Sequence, residues 1–314
     1  MRSRLVIALA ATVLLLGAAA AYALLQRHSD ANATSGVRLD AGGLLVRSTA
    51  NGHLAKTSNN EVTTSGLECA RVYAAGGTGV CLGPALPGTY QATVLDAASQ
   101  PTRTVPLDGV PSRARVSASG RMISWTVFVA GDSYNRGAFS TRSGVLDTRT
   151  GDLAGNLETF GIDRDGQRYT ADDVNFWGVT FAADDNRFYA TLATDGHHFL
   201  VEGDFANRTV RTVHDGVECP SLSPDGKRIA FKKRVGDGWR LSVLSLDGMT
   251  ETPLAETRSV DDQPAWLDDH TIGYGLPRAD PRHSDVWTVP ADGSGAPELL
   301  VEDAESPAPL PAVS

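Results

Sequence analysis

Short runs in which apolar and polar residues alternate, each closed by Gly, Asn, Asp or Pro, recur from about residue 40 to the C-terminus, and a period of two is the mark of a half-buried strand. Six of these runs share one form: an alternating strand, a turn and a second short strand. They begin at Leu44, Ala92, Gly144, Leu200, Leu241 and Val286. Their separations of roughly 40 to 56 residues match one four-stranded propeller blade. Asn51-Gly52, Asp247-Gly248 and Asp292-Gly293 are dipeptides that tolerate positive φ in tight hairpins. A second hairpin precedes five of the six, starting at Cys69, Arg113, Trp177, Cys219 and Gln263.

Within those second hairpins, Val72, Val116, Phe181, Leu222 and Trp266 fall at one equivalent inward position, and Val80, Ile123, Phe188, Ile229 and Ile272 at another. Large apolar residues at matched positions are what packing one blade against the next requires. The pattern predicts five complete blades and a sixth with only its second hairpin, at the N-terminal side. The segment "ESPAPLPAVS" at the C-terminus has the form of a first strand. The expected fold is all-β: a six-bladed β-propeller over residues 37–314, closed by a composite blade that joins both ends of the chain. An open or seven-bladed ring is the alternative.

The alternation is absent upstream. Residues 1–4, "MRSR", are followed by an uncharged apolar run over 5–25 and a small, polar stretch over 26–36 that reads as a tether. A 21-residue helix is about 31 Å long, the thickness of a hydrocarbon core. Arg2 and Arg4 ahead of it put the N-terminus in the cytoplasm and the propeller outside. The run is a single-pass anchor or a signal peptide cleaved after Ala23, where Ala21-Tyr22-Ala23 gives a small-x-small site; Leu24 and Leu25 prolong the run and favour the anchor. The expected location is therefore the cell membrane with the propeller extracytoplasmic, or secreted if cleaved. The formal net charge of -9 lacks any basic block, so nucleic-acid binding is not expected.

The pattern S-x-S-P-D-G-x-x-apolar-A-F at Ser221 to Phe231 resembles the TolB-like β-propeller repeat, and "PAWLDDHTIGY" and "DVWTVPADGSG" are further copies. The resemblance covers roughly residues 40 to 305. More narrowly, an anchor followed by a propeller is similar to the actinobacterial TolB-like proteins, for which it implies a translocation-related name without a defined biochemical role. The periplasmic component of the Tol-Pal system carries an α/β domain ahead of its propeller. About ten tether residues leave no room for one here, which argues against a Tol-Pal role.

Candidate chemistry is sparse. Cys69 and Cys81 flank a hairpin expected to turn at Ala75-Gly76, which brings them nearly opposite and predicts a disulfide in an oxidising compartment. Cys219 has no partner at its equivalent position, Ala230, and reads as a buried free thiol. His197 and His198 are neighbours on a strand and point to opposite faces, so they do not share a metal. "DRDGQRYTADD", Asp163 to Asp173, has Gly fourth and no closing Glu, so it fails as a calcium loop and reads as a solvated excursion. No metal or cofactor is expected, and no catalytic residue: G-x-S-x-G, H-E-x-x-H, P-loop and Rossmann patterns are all missing. Glu68, Glu218 and Asp262 align just ahead of three innermost strands and form a candidate acidic rim at the channel mouth, with Arg71, Arg113 and Arg115 near enough to neutralise it. The longest loops offer candidate recognition residues Tyr134, Asn135, Arg136, Arg168 and Tyr169. The reading is a non-enzymatic module that binds an extracytoplasmic protein or envelope ligand. The alternative is a propeller enzyme acting on a small sugar or lactone in the central channel.

Overall fold

The computed structural model describes residues 36–59, 61–129 and 140–311, together with Gly17. Apart from Gly17 and Gly36, the segment 5–25 and the tether lie outside the described residues, as do Tyr134, Asn135 and Arg136; among those described, no helix is long and apolar enough to cross a membrane.

Six antiparallel-built sheets follow one another around a central axis, each radiating outward from its innermost strand. Blade 1 is composite: the C-terminal strand Ala304–Leu310 lies innermost, followed outward by Gly43–Ser48, His53–Ser58 and Glu61–Glu68. Blades 2, 3, 5 and 6 are continuous four-stranded sheets whose innermost strands are Arg71–Ala75, Val110–Val116, Glu218–Leu222 and Ala265–Trp266. Blade 4, with innermost strand Asn175–Phe181, has six strands. Its fourth strand, Thr209–Asp215, pairs in parallel with Gly161–Arg164, which forms a hairpin with Gln167–Tyr169.

Three expectations change in detail. The hairpin beginning at Leu44 supplies the second and third strands of blade 1, and the outermost is Glu61–Glu68, so closure joins one C-terminal strand to three N-terminal ones. That outermost strand, "EVTTSGLE", is mostly exposed and carries no apolar alternation. The excursion beginning at Asp163 is ordered as an edge hairpin: Asp165 and Gly166 take φ of 55° and 80° at the turn, and Asp163 accepts a hydrogen bond from the Gly166 N–H at 2.8 Å. In blade 2 the chain reverses at Gly76-Gly77, so Val80 faces Tyr73 and Cys81 faces Val72. Tyr73, not Val72, thus occupies the blade-2 equivalent of Val116, Phe181, Leu222 and Trp266.

The second matched set holds in all five blades. Val80, Ile123, Phe188, Ile229 and Ile272 are completely buried. Each such side chain contributes about 1.5–3 kcal/mol relative to exposure. The packing is tight enough that a Cβ on Gly203 would fall 2.1 Å from the Phe188 ring.

Cys69 and Cys81 form a disulfide with Cα atoms 5.5 Å apart. They are not directly opposite: Cys69 precedes the innermost strand of blade 2, and the bond runs diagonally across to the second strand. Cys219 is a buried free thiol.

Candidate binding site at the entry end of the channel

The innermost strands share a direction, so the ring has an entry end, where they begin, and a turn end, where they reverse into their neighbours. Between the two ends the axis is filled. Arg113 reaches from blade 3 to blade 6, where its Nη2 donates to Asp261 O and Oδ1, both at 3.2 Å. Arg115 donates to Pro264 O at 3.0 Å and stacks on Tyr73. Gln263 spans from blade 6 to Val179 O at 3.2 Å and Pro220 O at 2.8 Å, in blades 4 and 5. The cavity left beside these side chains is about 20 Å³, room for about one water molecule and nothing larger.

Above this plug, off the axis toward blades 3 to 5, the entry end opens into a recess of about 220 Å³. Trp177, Trp239 and Phe128 supply aromatic surface. Trp177 begins its exposure two residues into blade 4, and its neighbour Gly178 has φ of 66°, with the Cys219 backbone where a side chain would project. Only glycine permits that approach without strain.

The polar side chains of the recess are held in two groups. Lys232, 3% exposed, and Arg113, 9% exposed, both donate to Asp261 Oδ1, at 2.5 and 3.2 Å, while Asp261 itself is 60% exposed. Burial opposes ionisation of Asp261, but the charges of Lys232 and Arg113 outweigh it and lower its pKa. Burial likewise works against the Arg113 cation, yet the Cys219 sulfur and the carboxylates of Asp262 and Asp261 raise its pKa. Lys232 Nζ lies 4.4 Å from the Trp239 ring centroid, a cation–π contact.

In the second group, Glu218 Oε1 accepts from Trp239 Nε1 at 3.0 Å and lies 3.0 Å from His198 Nδ1. Burial pushes the Glu218 pKa up, but the His198 and Trp239 hydrogen bonds and the Lys232 charge prevail and lower it. His198 also meets the Trp177 ring edge-on at 5.3 Å. His197 turns the other way, toward Asp215, as neighbours on a strand must.

Glu68, Glu218 and Asp262 are not brought together. Glu218 is buried in the recess. Asp262 is used inside blade 6, accepting from the N–H groups of Gln263 and Gly275, each at 2.9 Å. Glu68 is exposed at the end of the outermost strand of blade 1. Among the described residues no group of three or more His, Cys, Asp or Glu side chains is placed to hold a metal ion. The arginines do neutralise carboxylates: Arg71 pairs with Glu305 at 2.6 Å, and Arg113 pairs with Asp261 and feels the charge of Asp262. Arg168 and Tyr169 lie on the outer edge hairpin of blade 4, where Tyr169 Oη meets Thr194 Oγ1 at 2.8 Å. Arg168 faces an open groove of about 610 Å³ at that edge, remote from the recess by the width of the blade.

Sequence reasoning missed Trp177, Trp239, Lys232 and Asp261. One signal was present: Lys is rare in this chain, and Lys232 directly follows the buried run Ile229-Ala230-Phe231, where an exposed position was not due.

No protein-family model matches the sequence, and no curated protein sequence matches it. Solved structures do. TolB from Acinetobacter baumannii superposes with a TM-score of 0.63 at 16% identity, over 86% of this chain and 67% of that one. The fold is TolB-like. A protein assigned as TolB from Agrobacterium tumefaciens gives 0.51 at 13% identity, over 86% and 92% of the two chains. A chain of the nidogen–laminin complex gives 0.57 at 11% identity, over 87% and 99%. At these identities the likeness to TolB is one of architecture.

Proposed function

We propose that this TolB-like propeller is a non-enzymatic binding module that presents its entry end to an extracytoplasmic protein or cell-envelope ligand. The observation that carries this reading is the filled axis. Arg113, Arg115 and Gln263 hydrogen-bond across the ring and close it at mid-height, and the axial pocket of about 250 Å³ at the turn end has Asp225 as the one carboxylate of its lining, without the convergent acidic or His side chains that sugar or lactone chemistry in the channel needs. The open recess beside the plug has the aromatic and hydrogen-bonding surface that recognition uses. The Cys69–Cys81 disulfide supports an oxidising, extracytoplasmic compartment. The apolar segment 5–25 with Arg2 and Arg4 ahead of it supports a membrane tether. Nidogen, whose complex with laminin has a chain of this architecture, offers a precedent for a propeller in protein association.

The test is site-specific photocrosslinking of the full chain in its own envelope. A photoreactive side chain at Asp261, at the entry end, is expected to capture an envelope component, and one at Lys227, at the turn end, is not. Equal capture from both ends, or none from Asp261, overturns the proposal.

A further inference from the structure

The recess is electrically balanced. Arg113 and Lys232 supply two positive charges, and Glu218 and Asp261 two negative ones, all within one cavity of about 220 Å³. An anion entering it meets both carboxylates and a cation meets both basic groups, so a net charge on the ligand finds no preference. What the lining does offer is donors and acceptors side by side. Lys232 has three N–H groups, of which one serves Asp261. Asp261, 60% exposed, has lone pairs to spare beyond those its two cations use.

Aromatic surface completes the lining. Trp239 is pinned by its Nε1 bond to Glu218 and Trp177 by the edge contact with His198, so both rings are held before any ligand arrives. A ligand suited to this lining is uncharged, is no larger than one ring, and has an apolar face and a rim of hydroxyls that each donate and accept. A pyranose meets all four conditions: its C–H face packs on indole and its hydroxyls bridge acceptor to donor.

We infer that the entry-end recess formed by Trp177, Trp239, Lys232, Arg113, Asp261 and Glu218 is a binding site for one neutral sugar ring. This rests on the proposal that the entry end is a ligand-binding face. The ring is a free monosaccharide or the terminal residue of an envelope glycan; the chemistry is the same, and titrating both separates them.

The experiment titrates the full chain in detergent with glucose, galactose, mannose and N-acetylglucosamine, and with oligosaccharides ending in each, following tryptophan emission and heat. At least one neutral ring is expected to bind with a dissociation constant on the order of 1 mM. The charged analogues glucuronate and glucosamine are expected to bind at least tenfold more weakly. Trp177→Ala is expected to weaken binding tenfold or more, and Lys232→Met likewise. The comparison of neutral with charged sugars needs only the unaltered protein, so a variant that fails to fold does not remove the test. Binding of no neutral sugar or glycan overturns the inference, as does equal binding of charged analogues or undiminished binding by a folded Trp177→Ala. If sugars fail while the Asp261 crosslink to an envelope protein persists, this inference falls and the binding-module proposal stands; if both fail, both fall.

Discussion

The two ends of the same six innermost strands are built on opposite logic. At the turn end, successive blades place the same kind of residue at the same site: Tyr73, Val116, Phe181, Leu222 and Trp266 face inward, backed by Val80, Ile123, Phe188, Ile229 and Ile272. At the entry end the blades diverge. Arg71, Arg113, Trp177, Glu218, Asp261 and Glu305 come from six different blades and form ion pairs, aromatic contacts and a recess. The module Ser221 to Phe231 shows both within one strand pair, since its turn closes the repeat while Glu218 and Cys219, just upstream, line the recess. Repetition marks what every blade needs to stack, and departure from repetition marks what the molecule does only once.

The largest effect expected from breaking this contrast is at the turn end. Phe188→Ala removes a completely buried ring between Phe181, Phe160 and Gly203, where neighbouring backbone limits collapse into the void. A loss of about 3–5 kcal/mol is expected. Chemical denaturation followed by tryptophan emission would measure it. Below the new midpoint the recess should be unaltered, because its aromatic and charged groups lie at the other end. A loss under about 1 kcal/mol would show that this apolar ring is not what stacks the blades.

Next in size is the disulfide, which staples the entry end of blade 2, where matched apolar packing is missing. Replacing Cys69 and Cys81 together by Ala reopens a loop of sequence separation 12. The expected cost is about 2–3 kcal/mol by the loop-entropy account. Reduction of the unaltered protein should lower its stability by a similar amount and shift its denaturation midpoint down, and an unchanged midpoint under reductant would contradict the assignment.

The contrast also explains what could be read from the chain. Blade number, the five buried positions from Val80 to Ile272 and the composite blade were legible because the repeat states them several times over, and an error in one copy is corrected by the others. Copies that deviate were not. The inward residue of blade 2 slipped from Tyr73 to Val72 because two consecutive glycines, Gly76 and Gly77, left the turn centre ambiguous by one residue. The outermost strand Glu61–Glu68 lacks apolar alternation because an edge strand buries almost nothing. The parallel strand Gly161–Arg164 occurs in one blade only, so no repeat announces it. The recess was least legible of all. It is assembled from residues far apart in sequence, such as Arg113 and Asp261, whose meeting depends on ring closure and leaves no spacing signal in the chain.

The smallest effect expected is also the most selective, because it reports on the entry end alone. Glu218 is buried, and His198, Trp239 and Lys232 hold its pKa below the ordinary carboxylate value of 4.5. A group whose pKa is lower folded than unfolded binds protons more tightly in the unfolded chain. Its contribution to stability is therefore complete above about pH 4.5, the unfolded value, and is lost as the pH falls through the folded one. Glu218→Gln keeps an acceptor for the Trp239 Nε1–H and removes the charge, so a loss of about 1 kcal/mol at pH 7 is expected. Because the variant has no carboxylate at that position to protonate, its stability should fall less steeply between pH 5 and pH 3 than that of the unaltered protein, so the two curves converge in acid. Denaturation midpoints measured across that range decide the matter. Parallel curves would mean that Glu218 carries no linked proton.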